Sequence, residues 1–286
     1  LTQIQPFNQQ IWGDSHFCQG ALIHPNWVLT TADCASGQLY SFGWYGFFEG
    51  LFGAETPEVE ADEIWVEIGL HNVNVDVGAE SIAVENIFIY PGYQGTIVDN
   101  YALLELAQSS TFEPINLISD ETLDDDGQDA IVAGWGSRTG GNFLSGEGVG
   151  YLDYNHLLIE NNAVVDDCYY WTEQWELLGS GENFICVEQV DYSDDFGGWW
   201  EIGAQGGACW GDNGAPFFIT NENEEYELIG LFTVGCTDNG QPPWMPAMYS
   251  GVFPIKDWIA SYIGGATVEI SINAEENPEY ISWEFW

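Results

Sequence analysis

The chain has 286 residues, 45% of them apolar and 15% aromatic, and carries 46 Asp and Glu against two basic residues, for a formal net charge of −44. Such a charge excludes nucleic acid and anionic membranes as partners, because phosphates are repelled at every approach. No apolar run of about 18 residues is present to cross a bilayer, and the aromatic content excludes a wholly disordered chain.

The opening "LTQIQPFNQQ" has no basic region followed by an apolar one, so the sequence reads as a mature form without a signal peptide. Short apolar runs broken by Gly, Asn, Asp and Pro then predict strands in "GALIHPNWVLTTADC", "EIWVEIGLHNV", "ESIAVENIFIYPGY" and "YALLELAQ". Further strands are predicted in "DAIVAGWGS", "ENFICVEQV", "APFFIT", "YELIGLFTVGC" and "AMYSGVF". Strands spread along the whole chain point to an all-β sandwich or barrel. Helical signal is confined to "FPIKDWIASYI" (253–263), with its apolar stripe and early proline, and more weakly to 164–175.

Three segments read as additions to this β framework. Residues 37–62 hold seven aromatics, Tyr40, Phe42, Trp44, Tyr45, Phe47, Phe48 and Phe52, in a glycine-rich setting. With Trp199 and Trp200 of the acidic stretch 191–201 they form a candidate binding surface; the alternative is a satellite core packed on the framework. The tail 264–286 contains an alternating "ATVEISIN" that predicts one more strand.

The even set of six cysteines, Cys18, Cys34, Cys168, Cys186, Cys209 and Cys236, without any C-x-x-C, favours disulfides over a zinc site and hence an oxidising, extracellular location. Sequence alone leaves their pairing open. No N-glycosylation sequon occurs. Of the four histidines, His16, His24, His71 and His156, each reads as a surface or locally bonded residue rather than a ligand.

Several stretches together resemble the chymotrypsin-like, trypsin-fold serine peptidases: "HFCQGALIHPNWVLTTADC", "DNYALLEL", "VAGWGS", "CWGDNGAPFF" and "GCTDNGQPPWMPAMYSGVFPIKDWI", in that order over about residues 6–263. "IGLHNVN" and Gly207 are similar to the arthropod brachyurin-like branch. The resemblance implies two antiparallel Greek-key β-barrels with a C-terminal helix in one domain. Barrel one is expected over 1–117, barrel two over 128–253 and the helix over 254–263, with the acidic aromatic tail beyond. It also implies the disulfides Cys18–Cys34, Cys168–Cys186 and Cys209–Cys236.

The positions that carry the family's catalytic His, Asp and Ser hold Asp33, Asn100 and Asn213. Serine-peptidase chemistry needs an alcohol nucleophile, an imidazole base and a carboxylate that orients it, so no peptidase activity is expected; Asp99 is an alternative occupant of the Asp position. An oxyanion-nest remnant is expected at Gly211 and Asn213, and a pocket remnant at Gly207, Thr233 and Ala247. The stretch resembling the family's calcium loop has Leu70 and Val77 where carboxylates stand, leaving Glu80, so no metal and no cofactor are expected. Asp33 and Asn213 are expected to hydrogen-bond to each other. Asp212, whose family counterpart pairs with a new N-terminal ammonium, is expected either to take another partner or to sit in a zymogen-like loop over 207–214. The function expected is that of a secreted, inactive homologue acting by binding a protein, suited to a salty or protease-rich fluid. Alternatives are a binder of a small apolar ligand such as a pigment or lipid, and an acidic structural or storage protein.

Overall fold

A computed structural model describes residues 2–6, 18–36, 60–71, 78–121, 129–135, 153–162, 183–188, 208, 212–234 and 247–264. The first barrel closes in the order β1-β2-β3-β6-β5-β4. Its strands are β1 (Thr2–Pro6), β2 (Cys18–His24), β3 (Trp27–Thr30), β4 (Ile64–Ile68), β5 (Glu80–Ile89) and β6 (Ala102–Leu106). Strand β1 seals it, pairing antiparallel with β2 (Ile4 opposite Cys18) and with β4 (Ile4 opposite Val66). β1 is too polar to read as a strand in isolation; its two partners supply the backbone bonds that make it one.

The second sheet runs β11-β8-β9-β10-β13-β12-β7, and an additional β11–β12 pairing closes six of its strands into a second barrel. These are β7 (Asn116–Leu117), β8 (Asp129–Gly134), β9 (Asp153–Asn162), β10 (Phe184–Glu188), β11 (Pro216–Thr220), β12 (Tyr226–Val234) and β13 (Ala247–Gly251). Strand β7, parallel to β12, lies on the second barrel although it directly follows the first. β1, β7 and β9 escape sequence reading, as does the short helix α1 (Ala32–Ser36). The expected helix begins as a 3-10 turn (Phe253–Ile255) and continues as α2 (Lys256–Ile263). The weaker helical prediction at 164–175 and the tail strand lie outside the described residues.

The pleat explains why "YALL" is apolar at every position. Successive strand residues face opposite ways, and both faces of β6 are covered. Ala102, Leu104 and Leu106 point into the first barrel with Leu22, Val28, Ile64 and Val66. Leu103 turns the other way, joining Leu29, Tyr101, Phe217, Leu231 and Tyr249 in the cluster that fills the second barrel and the seam between the two. The Tyr101 hydroxyl crosses that seam to donate to the carbonyl of Gly251 at 2.8 Å.

Helix α2 is held by aromatic edges. Trp258 meets Tyr90 at 5.2 Å edge-on, and Tyr262 lies 4.6 Å from Phe88 and 6.0 Å from Trp27, centroid to centroid. Such pairs add about 0.5–1.5 kcal/mol each beyond area burial. At its first residue, the Lys256 ammonium donates to the carbonyl of Ile118 at 2.6 Å and sits 5.1 Å from the centroid of Phe253. Its charge also reaches Glu227, whose carboxylate accepts from Ser119 N–H and Asn221 Nδ2, both at 2.8 Å. Burial pushes the Glu227 carboxyl up, but these donors and Lys256 outweigh it and hold it below the usual range.

Lys256→Met keeps the apolar stem but leaves the buried Ile118 carbonyl without this donor. The expected loss is about 1–3 kcal/mol, seen as a lower urea midpoint with an unchanged m-value.

Candidate functional site

The candidate site lies where three chain segments meet. Strand β3 ends at Thr30, and one residue later α1 begins, carrying Asp33. Five residues are too few to make a helix on propensity alone; the Cys18–Cys34 disulfide ties α1 to β2 across 5.8 Å between Cα atoms. Asp33 N–H donates to Asn100 Oδ1 at 3.0 Å, and Cys34 N–H donates to Asp33 Oδ1 at 2.9 Å.

Asn100 is buried, 1% exposed, two residues before β6 begins. Its neighbour Asp99 has φ 53°, a left-handed conformation that an Asp tolerates better than most residues. The two side chains part there: Asn100 faces Asp33, while Asp99 accepts from Asn183 Nδ2 at 3.3 Å. Asn100, not Asp99, therefore stands beside residue 33.

Asn213 sits in the turn before β11. Its carbonyl accepts from Gln19 N–H at 2.9 Å, and its side-chain amide reaches the Thr233 carbonyl at 3.5 Å, a long contact. The Asn213 side chain also lies within hydrogen-bonding reach of the Asp33 carboxyl, as expected, and favours its charged form. Gly214 follows with φ 78°, and a Cβ there would stand 2.2 Å from the Gln19 carbonyl oxygen, so glycine is required on both counts.

Burial raises the Asp33 pKa above the ordinary Asp value. Thr31, Asn100, the Cys34 N–H and Asn213 oppose that shift without cancelling it. Asp33 keeps some exposed surface as a residue, but its carboxyl is enclosed by these groups, and enclosure decides the direction. Thr31 Oγ1 and Asn100 Nδ2 are buried and stop short of a hydrogen bond of ordinary geometry. Tyr93 stands close enough for the Asp33 charge to act on its phenol, whose pKa is pushed up by burial first and by Asp33 second.

The partner of Asp212 escaped sequence reading. Gln19 Nε2 donates to Asp212 Oδ1 at 2.8 Å, with both residues buried. The only signal was a long polar side chain inside an otherwise small and apolar strand, "CQGALIH". Of the two arrangements expected for Asp212, the structure displays another partner.

Thr233 is buried in β12, its hydroxyl 2.7 Å from that of Ser250, and Ala247 opens β13. Glu80 is already occupied as an acceptor: Ser110 Oγ donates to it at 2.7 Å and Thr111 N–H at 3.1 Å, and the Thr111 hydroxyl bonds to it as well. Those hydroxyls hold its carboxyl below the usual range. Leu70, beside it in the sequence motif, is buried. His24 Nδ1 accepts locally from Asn26 N–H at 3.3 Å, and the His71 carbonyl accepts from Trp135 Nε1 at 3.4 Å. Among the described residues no three His, Cys, Asp or Glu side chains converge as a metal cluster. His16, Gly207, Gly211, the aromatic stretch 40–52, Val77, Trp199, Trp200, Cys168, Cys209 and Cys236 lie outside the described residues. Cys186 and His156 are placed only as backbone in β10 and β9.

The raised pKa of Asp33 has a definite sign in stability. The folded state holds this proton more tightly than the unfolded one, so stability falls as pH climbs from about 3.9 through the raised folded value. Asp33→Asn retains an acceptor for Cys34 N–H and removes that cost. It is expected to melt above the native protein at pH 7 and to converge with it in acid. The exposed control Glu222→Gln, which removes one charge without the burial, should not reproduce the gain.

Comparison with known proteins agrees with this architecture. The family model described as Trypsin matches residues 3–259. The chain is 26% identical over 272 residues to phenoloxidase-activating enzyme 1 of Spodoptera litura, covering 89% of this chain and 61% of that protein. It is 24% identical to ovochymase of Halocynthia roretzi over 93% of this chain, though only 14% of that much longer protein. Anionic trypsin of Bos taurus is 27% identical over 90% of this chain and 84% of its own length. The chain thus spans under two thirds of the first two relatives and most of the third. Closed antiparallel barrels joined at a seam, a C-terminal helix and a family match over nearly the whole length place this chain in the trypsin family of chymotrypsin-like serine peptidases.

Proposed function

We propose that this chain is a secreted member of the trypsin family that no longer cleaves peptides and acts by binding a protein partner. The observation that carries the reading is the composition of the site: Asp33, Asn100 and Asn213 occupy the segments where the family has His, Asp and Ser. A carboxyl held by a neighbouring backbone N–H does not return a proton as imidazole does, and an amide is not a nucleophile. Among the described residues, the Thr31 hydroxyl acts on Asp33 but is fully buried, so it does not meet a substrate. Removing nucleophile and base leaves only residual transition-state binding.

The Cys18–Cys34 disulfide supports an oxidising compartment. The acidity supports a salty fluid, where charge repulsion is screened within ~8–10 Å. Among the described residues no helix is long and apolar enough to cross a membrane. The carboxylates of Glu80, Asp212 and Asp33 accept from hydroxyl, amide or backbone donors, bonds that salt weakens less than it weakens surface ion pairs. A melting temperature that rises steadily from low salt to about 1 M NaCl is therefore expected; a fall would contradict adaptation to salt.

The test of the main reading uses pure native-source protein. No peptide cleavage and no labelling by a serine-directed covalent inhibitor are expected; cleavage abolished by such an inhibitor overturns it. Native mass spectrometry of the same sample separates the binding classes. A complex with a second protein supports the proposal. An added mass of a small molecule moves the aromatic stretch 40–52 and a pigment or lipid ligand to the front. The bare oxidised chain, abundant and without partner, favours the structural or storage role.

A further inference from the structure

One residue of β2 touches three consecutive residues of the turn that carries position 213. Gln19 Nε2 donates to Asp212 Oδ1 at 2.8 Å, Gln19 N–H donates to the Asn213 carbonyl at 2.9 Å, and the Gln19 carbonyl lies against the face of Gly214 that has no Cβ. The same carbonyl accepts from Thr30 Oγ1 at 2.6 Å, so Gln19 is itself fixed from β3. The turn closes on its own side through Ala215 N–H to the Asp212 carbonyl at 2.7 Å and Gly214 N–H to the Phe232 carbonyl at 2.9 Å. Gln19 is 0% exposed and Asp212 6% exposed. Asp212 Oδ1 also fills the space over Gly134, where a Cβ would stand 2.1 Å from it.

We propose that Gln19 is a positioning residue, an uncharged clasp by which the first barrel holds the 212–215 turn of the second in its ordered form. A buried carboxylate is stabilised by a donor, charged or not, and breaking that contact costs more than an exposed bond would. A primary amide donates unchanged at every pH at which the protein is folded. Among the described residues, Tyr249 of β13 is a titratable group close enough for the Asp212 charge to act on it, and burial first and that charge second raise its phenol pKa. The inference stands whether or not the chain cleaves peptides, because it concerns what holds the turn and not what the turn does.

The decisive variant is Gln19→Glu, which swaps the donor for a second carboxyl at the same reach. Near pH 5 a shared proton restores the bond, and the variant is expected to fold. As pH rises, two carboxylates face each other and one is forced to keep its proton with a raised pKa. Stability then falls with pH from about 4.3 upward, more steeply than in the native protein. Hydrogen exchange should locate the effect: the amides of Gly214 and Ala215 exchange faster by about tenfold for each pKa unit of the shift, while those of Leu29 and Leu103 in the first barrel keep their native protection. Gln19→Leu should loosen the same amides at every pH with no added slope. The proposal is overturned if Gln19→Glu follows the native pH profile, if exchange rises equally through both barrels, or if Gln19→Glu fails to fold even at pH 5.

Discussion

The contact between Gln19 and the 212–214 turn is a buried polar joint that helps register the two barrels against each other, beside the Tyr101 bond and the apolar seam. Both barrels close through antiparallel ladders of their own, and ladders alone say nothing about how one barrel meets its neighbour. The buried bond from Gln19 to Asp212, 193 residues apart in sequence, does. It places Asn213 opposite α1, and the Cys18–Cys34 disulfide places α1 beside β2. Asp33 comes to Asn100 because β3 and β6 pair with Thr30 opposite Ala102, so the residues just after one strand and just before the other meet. Buried polar contacts of this kind are specific because they tolerate little displacement before a donor or acceptor is left unsatisfied.

Extreme acidity changes how this chain builds its polar anchors. With two basic residues in 286, ion pairing is a scarce resource. Lys256 is spent at a structural joint, on the Ile118 carbonyl and near Glu227. Elsewhere the anchoring carboxylates draw on neutral donors: Glu80 on Ser110 and Thr111, Asp212 on Gln19, Asp33 on the Cys34 N–H. Charge-assisted bonds of this type are stronger than neutral ones and need no counter-ion. A trypsin-family fold thus accommodates a net charge of −44 without asking each buried acid to find a base.

The site is conserved in architecture and changed in chemistry. The segments that would present a base, its orienting group and a nucleophile still meet, and their backbones are held by ordered hydrogen bonds. What they present is a carboxyl raised by enclosure and two amides. An enclosed carboxyl beside two amides is the chemistry on which the proposed binding role rests. The relatives that the chain resembles over its length, a phenoloxidase-activating enzyme and a trypsin among them, share the fold with it at 26–27% identity, which speaks to the framework and leaves the partner to experiment.

Strong local patterns were legible in the sequence. β2 to β6, β8 and β10 to β13 announce themselves as apolar runs between turn residues, and the stripe of 253–263 reads as a helix, because burial on one face or two leaves a periodic trace. The identity of the residues at 33, 100 and 213 was legible too. Pairing was not. β1 is a strand because β2 and β4 flank it, β7 is one because β12 offers an edge, and α1 is held by a disulfide. Asn100 rather than Asp99 faces Asp33 because a left-handed φ at 99 separates two adjacent side chains. Asp212 is satisfied by a glutamine 193 residues away. The local sequence determined which residues seek burial and which chemistry is available; tertiary structure alone decided which donor meets which acceptor, because those bonds join positions that are adjacent only after both barrels have closed.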